Sequence, residues 1–112
     1  MAGAKRLLYR AVALADVEAA TDWYLEEAGF DVASGFLAEL EAAYDHIARH
    51  PATGSPRLGI ELNIPDLRVW SLDRYPQLVI YMEQAQHVEV WRVLHGARDI
   101  PATLIEPDIP AR

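Results

Sequence analysis

The chain has 112 residues, of which 52% are hydrophobic and 24% charged, so it is long and apolar enough to form a single folded domain over residues 1–112. It has no cysteine, which excludes disulfides and thiolate metal sites. The formal net charge is −7, and an acidic domain binds nucleic acid poorly without sequence specificity, because attraction to phosphate dominates such binding. There is no apolar run long enough to span a membrane and no signal peptide, so we expect a cytoplasmic protein.

A short strand and a helical hairpin are the first predicted elements. Residues 5–10 are typical of an edge strand. Apolar residues then recur at helical spacing and predict a first helix that stops at Gly29, with the stripe Ala13, Val17, Ala20 and Tyr24. A second helix is predicted over residues 32–49, which Pro51 follows. Two amphipathic helices joined by a short connection should form an antiparallel hairpin.

The second half of the chain predicts a sheet. Residues 51–66 contain three prolines and two glycines and are predicted to be a loop. Residues 67–72, 78–83 and 88–94 are strand candidates with short connections, which favours an antiparallel meander. Residues 98–106 predict a short final helix or turn, with Asp99 as its N-cap. The order β-α-α-β-β-β predicts an α+β fold, with the N-terminal helical hairpin packed on one face of a small, mainly antiparallel sheet. The C-terminal segment or a partner would have to cover the other face.

The stretch "WRVLHGARDI" brings several polar groups together, but it lacks the context of a catalytic site. A nucleophilic triad needs a serine, cysteine or threonine within reach, and the chain has no G-x-S-x-G motif. His46 and His50 are four residues apart, yet the H-E-x-x-H pattern is absent. We therefore expect no metal site and no cofactor. Gly96 is interpreted as the point where the last strand turns.

Arginine 92 is the most informative charged residue in this stretch. It shares strand parity with Val88, Val90 and Leu94, so an unpaired guanidinium there would be costly to bury. The sequence leaves two interpretations open: an internal ion pair, for example with Glu83 or Asp99, or a grip on a partner. The chain has three tryptophans, Trp23, Trp70 and Trp91. They are interpreted mainly as core residues rather than as platforms on which bases stack.

An ordered set of stretches resembles the ParE branch of the RelE/ParE superfamily, the toxins of type II toxin–antitoxin systems. "ALADVEAATDWYLEEAG" and "ASGFLAELEAAYDHIARHPATGSPR" are similar to the two helices of the family and the corner that follows, here His50, Pro51, Gly54 and Arg57. "LRVWSLDRYPQLVIYME" resembles the family's strand pair, and "VEVWRVLHGARDI" its closing signature. The likeness covers about residues 5–105.

The resemblance implies a growth-inhibiting toxin, of the kind that stabilises plasmids, which inhibits DNA gyrase and so DNA replication. A cognate antitoxin would neutralise it by wrapping it in a hetero-oligomer. The chain would then be a non-enzymatic binder without sequence-specific nucleic-acid binding of its own. The residues expected to bind target or antitoxin are Arg57, Arg68, Arg74, Trp91, Arg92, Leu94, His95 and Arg98.

Two alternatives remain at the level of the sequence. One is a RelE-like, ribosome-dependent mRNA endoribonuclease that works without metal, in which Arg57, Arg92 and His95 would stabilise charge and donate a proton. The net charge of −7 argues against it, because a ribosome binder should be basic. The other alternative is a non-toxic relic of the fold that still binds antitoxin.

Overall fold

The computed structural model describes residues 3–96 together with Ile100 and Leu104. The predicted α+β class and the order of its elements are confirmed. Within the described residues the elements, in chain order, are β1 (Arg6–Tyr9), α1 (Ala11–Glu27), α2 (Phe30–Arg49), a 3₁₀ turn (Pro51–Thr53), α3 (Arg57–Leu62), β2 (Leu67–Ser71), β3 (Gln77–Glu83) and β4 (His87–His95).

The four strands form one mixed sheet in the order β1-β4-β3-β2. The antiparallel meander β2-β3-β4 is as predicted. Strand β1 lies parallel to β4 at the edge of the sheet and pairs with residues 87–90. Its four residues are too few to accompany the nine of β4, so in the described part of the chain no strand flanks residues 91–95 on that side. This end of β4 is where the candidate site lies.

A core on each face of the sheet holds the layers together. On the helix face, the predicted stripes of α1 and α2 pack against β3 and β4, with Phe36, Ile47, Tyr81, Val88 and Val90 fully buried. On the opposite face, a second cluster is built from Leu67, Ile80, Leu94 and Ile100, against which Leu58, Leu62, Ile64 and Leu104 pack. Helix α3 therefore covers part of the face that the sequence left open, and Ile100 and Leu104 cover a further part of it.

The prediction that residues 51–66 form a loop is wrong in part, because they contain the 3₁₀ turn and α3. Helix α3 has only six residues, which is too short to show helical periodicity in a sequence. Asn63 ends it in the left-handed conformation with φ 59°. Gly59 allows the close approach of the helix to β2, since a Cβ there would lie 2.7 Å from the carbonyl oxygen of Leu67.

The turn of the helical hairpin depends on Gly29. Its φ is +97° and its ψ is 176°, a region that is essentially restricted to glycine. Its backbone N–H donates to the carbonyl oxygen of Tyr24 at 3.0 Å, which ends α1 as the sequence predicted. Helix α2 begins at the next residue, Phe30, two positions earlier than expected. Neither helix, nor any other in the described residues, is long and apolar enough to cross a membrane.

Candidate partner-binding site

A β-bulge in β4 sets the direction of the side chains at the candidate site. Ile80 faces Arg92 and Tyr81 faces Val90 across the β3–β4 pair, so Trp91 is the extra residue. The bulge interrupts strict alternation, because Val90 and Val93 both belong to the helix-side core. The predicted shared parity of Arg92 with Val88 and Val90 is therefore wrong. Sequence alternation cannot reveal where one strand gains a residue relative to its neighbour.

Arg92 forms a two-pronged ion pair with Asp16 of α1. Its Nε donates to Asp16 Oδ2 at 2.8 Å and its Nη2 donates to Oδ1 at 2.9 Å. The backbone N–H of Val93 also donates to Oδ2, at 3.0 Å. The Asp16 carboxylate thus accepts a backbone hydrogen bond on the edge of β4 that β1 does not reach. The two side chains are only 18% and 12% exposed, so the pair is largely withdrawn from solvent.

The ion-pair interpretation of Arg92 is therefore realised, but with a partner that the sequence did not indicate. Glu83, one suggested partner, pairs instead with Lys5 at 2.8 Å. Asp99, the other, lies outside the described residues, as does Arg98.

Trp91 is held in place by charged neighbours on β4 and at the end of β1. The guanidinium carbon of Arg10 lies 3.9 Å from the centre of the indole ring, which is a cation–π contact. The indole N–H donates to Glu89 Oε1 at 3.0 Å, and Arg10 Nε donates to Glu89 Oε2 at 3.2 Å. Half-buried against the second core cluster, Trp91 fixes the bulge rather than standing free as a stacking platform.

A groove of about 560 Å³ opens between α1 and the end of β4. Ala19 and Ala20 leave room along the helix side, while Val93 and His95 form the strand side. Trp23 stands on the rim and is 59% exposed, so its predicted core position is wrong. An apolar recess of this size with a few polar groups is typical of a site that accepts a ligand group or a partner side chain.

The floor of the groove is polar and ordered. Gln77 is buried, and its Oε1 accepts a hydrogen bond from the hydroxyl of Tyr24 at 3.2 Å. Asp16, in its ion pair with Arg92, closes one end. The groove therefore offers apolar walls and fixed polar groups at its base. That arrangement suits an inserted apolar side chain whose backbone can hydrogen-bond nearby.

Arg68 and the corner after α2 form a structural unit at the β2 edge of the sheet. Arg68 Nη1 donates to the carbonyl oxygen of Gly54 at 2.8 Å. The buried hydroxyl of Tyr81 accepts from Gly54 N at 3.0 Å and donates to Pro51 O at 2.7 Å. Burial raises the pKa of Tyr81. A side chain at Gly54 would collide with the Tyr81 hydroxyl, which explains the glycine of this corner.

Arg57 and Arg74 are exposed and lie away from the groove. Arg57 begins α3, beside β2. Arg74 lies in the β2–β3 connection, where its backbone N–H donates to Glu39 Oε2 at 2.7 Å and its Nε to Oε1 at 3.3 Å. The backbone N–H is the main cause of a lowered pKa for Glu39.

The structure thus brings only part of the predicted site together. Arg92, Leu94 and His95 gather at the end of β4, and Leu94 is both a core residue and part of the groove wall. Arg57, Arg68 and Arg74 lie towards β2, which β3 separates from β4. Reasoning from the sequence missed Asp16, Trp23 and Gln77. Only Trp23 carried a usable signal, since it lies off the apolar stripe of α1.

The histidines that suggested a shared ligand face have other contacts. The ring of His46 stacks on Trp70 with a centroid distance of 4.2 Å, and its Nε2 lies 2.9 Å from Thr53 Oγ1. The ring of His50 lies 5.2 Å from that of His46. Within the described residues, no group of three or more histidine, aspartate and glutamate side chains is arranged to hold a metal ion.

A helical hairpin packed on a small mixed sheet is the α+β architecture of the small RelE/ParE-like proteins. The family model described as "ParE toxin of type II toxin-antitoxin system, parDE" matches residues 7–100. The chain belongs to this family of ParE toxins.

Among solved structures, the chain is similar to one described as "Chromosomal ParDE TA system from P. aeruginosa". The two are 18% identical, with a TM-score of 0.69, and the match covers 81% of this chain and 95% of that chain. At this identity the likeness shows the shared fold alone. No curated protein sequence matches this chain.

Proposed function

We propose that this toxin inhibits DNA gyrase, and so DNA replication, and that direct binding of a cognate antitoxin neutralises it. The observation that carries the proposal is membership of the ParE family over residues 7–100. The resemblance of the sequence to ParE-type toxins implies gyrase as the target and an antitoxin as the partner.

Inhibition by binding, rather than by chemistry on RNA, fits the charges of the molecule. Arg92, which a ribonuclease would use to stabilise a phosphorane, has its guanidinium engaged by Asp16. Arg57 lies beside β2 and not at the end of β4 with His95. The net charge of −7 opposes approach to ribosomal RNA. Contact with a protein surface carries no such penalty.

The groove between α1 and β4 is the proposed antitoxin site. Its exposed Trp23 and its apolar walls offer an anchor of the kind that dominates protein interfaces. An antitoxin segment that inserts an aliphatic side chain between Trp23 and His95 would bury both rims. The ion pair of Arg92 with Asp16 keeps this end of the groove rigid, which lowers the entropic cost of binding.

A gyrase assay tests the proposed target. Purified protein should inhibit supercoiling of relaxed plasmid by gyrase and trap the enzyme on cleaved DNA, and pre-incubation with antitoxin should restore activity. If a large molar excess produces neither inhibition nor a trapped complex, gyrase is not the target. Primer extension on mRNA from expressing cells is the companion experiment, since cuts at ribosomal A sites would point to the ribonuclease alternative instead.

A pair of substitutions tests the proposed groove. Trp23→Ala should weaken antitoxin binding by roughly 30-fold or more, because an anchor residue contributes about 2 kcal/mol or more. The matched control is Ile60→Ala, which truncates an apolar residue on α3 that is more exposed still, at 76% against 59% for Trp23. Isothermal titration with the antitoxin encoded by the adjacent reading frame provides the measurement. Equal affinities for the two variants would place the antitoxin elsewhere.

A further inference from the structure

We propose that the outer crease between α1 and α2 is a second docking surface, which takes a basic amphipathic helix of a partner protein. The crease is defined by four exposed apolar residues, Leu14 and Leu25 on α1 and Phe30 and Leu37 on α2. Their exposed fractions are 56%, 48%, 72% and 38%. The inference goes beyond the proposed gyrase and antitoxin binding, and it concerns the flank of α1 that faces away from the groove.

Helical geometry places the two residues of each helix on one line. Leu14 and Leu25 are eleven residues apart, or about three turns, and Phe30 and Leu37 are seven apart, or about two turns. Leu14 follows the buried Ala13 and Leu37 follows the buried Phe36. Each line therefore lies about 100° around its helix from the side that packs on the sheet.

The two lines face each other, because the opposite flank of each helix lies against a strand of the sheet. The other flank of α1 carries Trp23 and borders the end of β4. The other flank of α2 carries His46, which stacks on Trp70 of β2. Since β4 and β2 lie on opposite sides of β3, the remaining flanks of these antiparallel helices meet between them.

The aromatic rings at one end support this arrangement. Tyr44 lies seven residues after Leu37 and so continues the same line on α2. Its ring is 5.1 Å from that of Tyr9. Tyr9 is the last residue of β1, and only Arg10 separates it from the start of α1. Tyr9 is 39% exposed and lies at the end of the crease next to β1.

Charge identifies the chemistry of the partner. Exposed carboxylates lie on and beside the two lines: Glu18 and Glu41 follow Leu14 and Leu37 by one turn on the same lines, and Asp22 and Asp45 border them. Among the described residues, only Asp45 of these four takes part in an ion pair, with Arg49 at 3.0 Å. Exposed apolar residues interspersed with and bordered by carboxylates complement an amphipathic helix that carries lysine or arginine on and beside its apolar stripe. The same carboxylates would repel a second copy of the chain and an anionic membrane.

The length of the crease sets the size of the partner helix. Leu14 and Leu25 are separated by about 16 Å along α1, at 1.5 Å per residue. A partner helix of about 12 residues would cover that distance, with anchors at i, i+4, i+7 and i+11. A synthetic peptide should be slightly longer, about 15 residues, because shorter isolated helices are marginal in water.

The probe is a synthetic peptide of about 15 residues with leucines on one helical stripe and lysines on its flanks. It carries a fluorescent label, and its binding to the whole protein is measured by fluorescence anisotropy. Phe30→Ser should weaken binding roughly tenfold and Glu41→Gln about threefold, with further weakening in high salt. A peptide with glutamate in place of lysine should not bind. The matched controls are Ile60→Ser and Glu61→Gln, an exposed apolar and acidic pair on α3 that should leave binding unchanged.

Three outcomes would overturn the inference. The first is equal binding of the lysine and glutamate peptides. The second is a loss of peptide affinity in the α3 controls as large as that in Phe30→Ser and Glu41→Gln. The third is a dimer in sedimentation velocity that Phe30→Ser dissociates, which would assign the crease to a second copy. Circular dichroism would first establish that each variant is folded. The gyrase assay is independent of this experiment, so failure of the proposed function leaves the peptide result interpretable.

Discussion

Asp16 links three parts of the molecule through a single carboxylate. It lies on α1, one position before the partly buried stripe residue Val17. It accepts hydrogen bonds from the Arg92 guanidinium and from the N–H of Val93. In the sequence it is one of nine acidic residues in positions 1–50 and looks like its solvated neighbours. Its role is visible only when a residue 76 positions away is brought beside it.

Asp16→Ala should lower the free energy of unfolding by about 2–3 kcal/mol, because it leaves a largely buried guanidinium and a backbone N–H without their acceptor. Asp22→Ala, an exposed aspartate on the same helix, should change it by no more than about 0.5 kcal/mol. Urea unfolding of both variants provides the measurement. Equal effects would mean that the ion pair contributes nothing to stability.

The effect of Arg92 on folding stability has to be measured separately from its effect on antitoxin binding. Arg92→Ala alone and together with Asp16→Ala completes a double-mutant cycle, for which we expect a coupling of about 1–3 kcal/mol in unfolding free energy. Antitoxin affinity measured on the same variants separates a structural ion pair from a direct contact. A direct contact predicts a loss of affinity in Arg92→Ala that Asp16→Ala does not reproduce.

The ring of Tyr81 belongs to the helix-side core, and its hydroxyl holds the corner after α2 through hydrogen bonds to Pro51 and Gly54. Tyr81→Phe should destabilise the protein by about 1–2 kcal/mol, since it removes two hydrogen bonds and leaves the N–H of Gly54 without its acceptor. Tyr75→Phe is the matched comparison, because its hydroxyl makes one bond, to Val32 O at 3.0 Å. Thermal melting should rank Tyr81→Phe as the more damaging change. The reverse order would show that the corner after α2 is held by other contacts.

At the scale of secondary-structure elements, the connection between α1 and α2 depends on a backbone conformation that only glycine readily adopts. Gly29→Ala should destabilise the fold by about 1–3 kcal/mol through backbone strain alone, since nothing lies within 4 Å of a Cβ placed there. Gly3→Ala is the control, because its Cβ position is equally open and its φ is not positive. Chemical denaturation of both variants tests this. Equal stabilities would contradict a strained turn.

The same scale shows where sequence patterns succeed and where they stop. Both long helices and all three late strands were predicted to within two residues, because local hydrophobic periodicity is strong in each. The bulge at Trp91 was not, since it is a property of two paired strands. Helix α3 was not, because six residues contain too little of the helical period.

At the scale of the whole molecule, the tyrosine pair Tyr9 and Tyr44 connects β1 and α2, with ring centroids 5.1 Å apart. Burial raises the pKa of Tyr44 well above its ordinary value of 10.0, and the negative charges of Tyr9 and Asp16 act in the same direction. Burial also raises the pKa of Tyr9, with a smaller contribution from Glu41. The folded state therefore favours the neutral phenols.

Alkaline stability should report on this pair. The unfolded chain releases the Tyr44 proton near pH 10 while the folded chain retains it, so stability is complete below that pH and falls as the pH rises above it. Urea unfolding between about pH 9 and pH 11 should show this decline in the wild type and a shallower one in Tyr44→Phe. Parallel profiles for the two proteins would exclude Tyr44 as the cause.

The sequence by itself determined the α+β class, the helical hairpin, the meander and the resemblance to ParE toxins, because these depend on local periodicity and on ordered short motifs. It also placed Arg92, Leu94 and His95 in one stretch. Only the tertiary structure decided that Asp16 holds Arg92 and that Trp23 stands on the rim of a groove. Each of these depends on which distant residues the folded chain brings into contact, and for that reason Val93, Leu94 and His95 of "WRVLHGARDI" line a groove instead of forming a catalytic cluster.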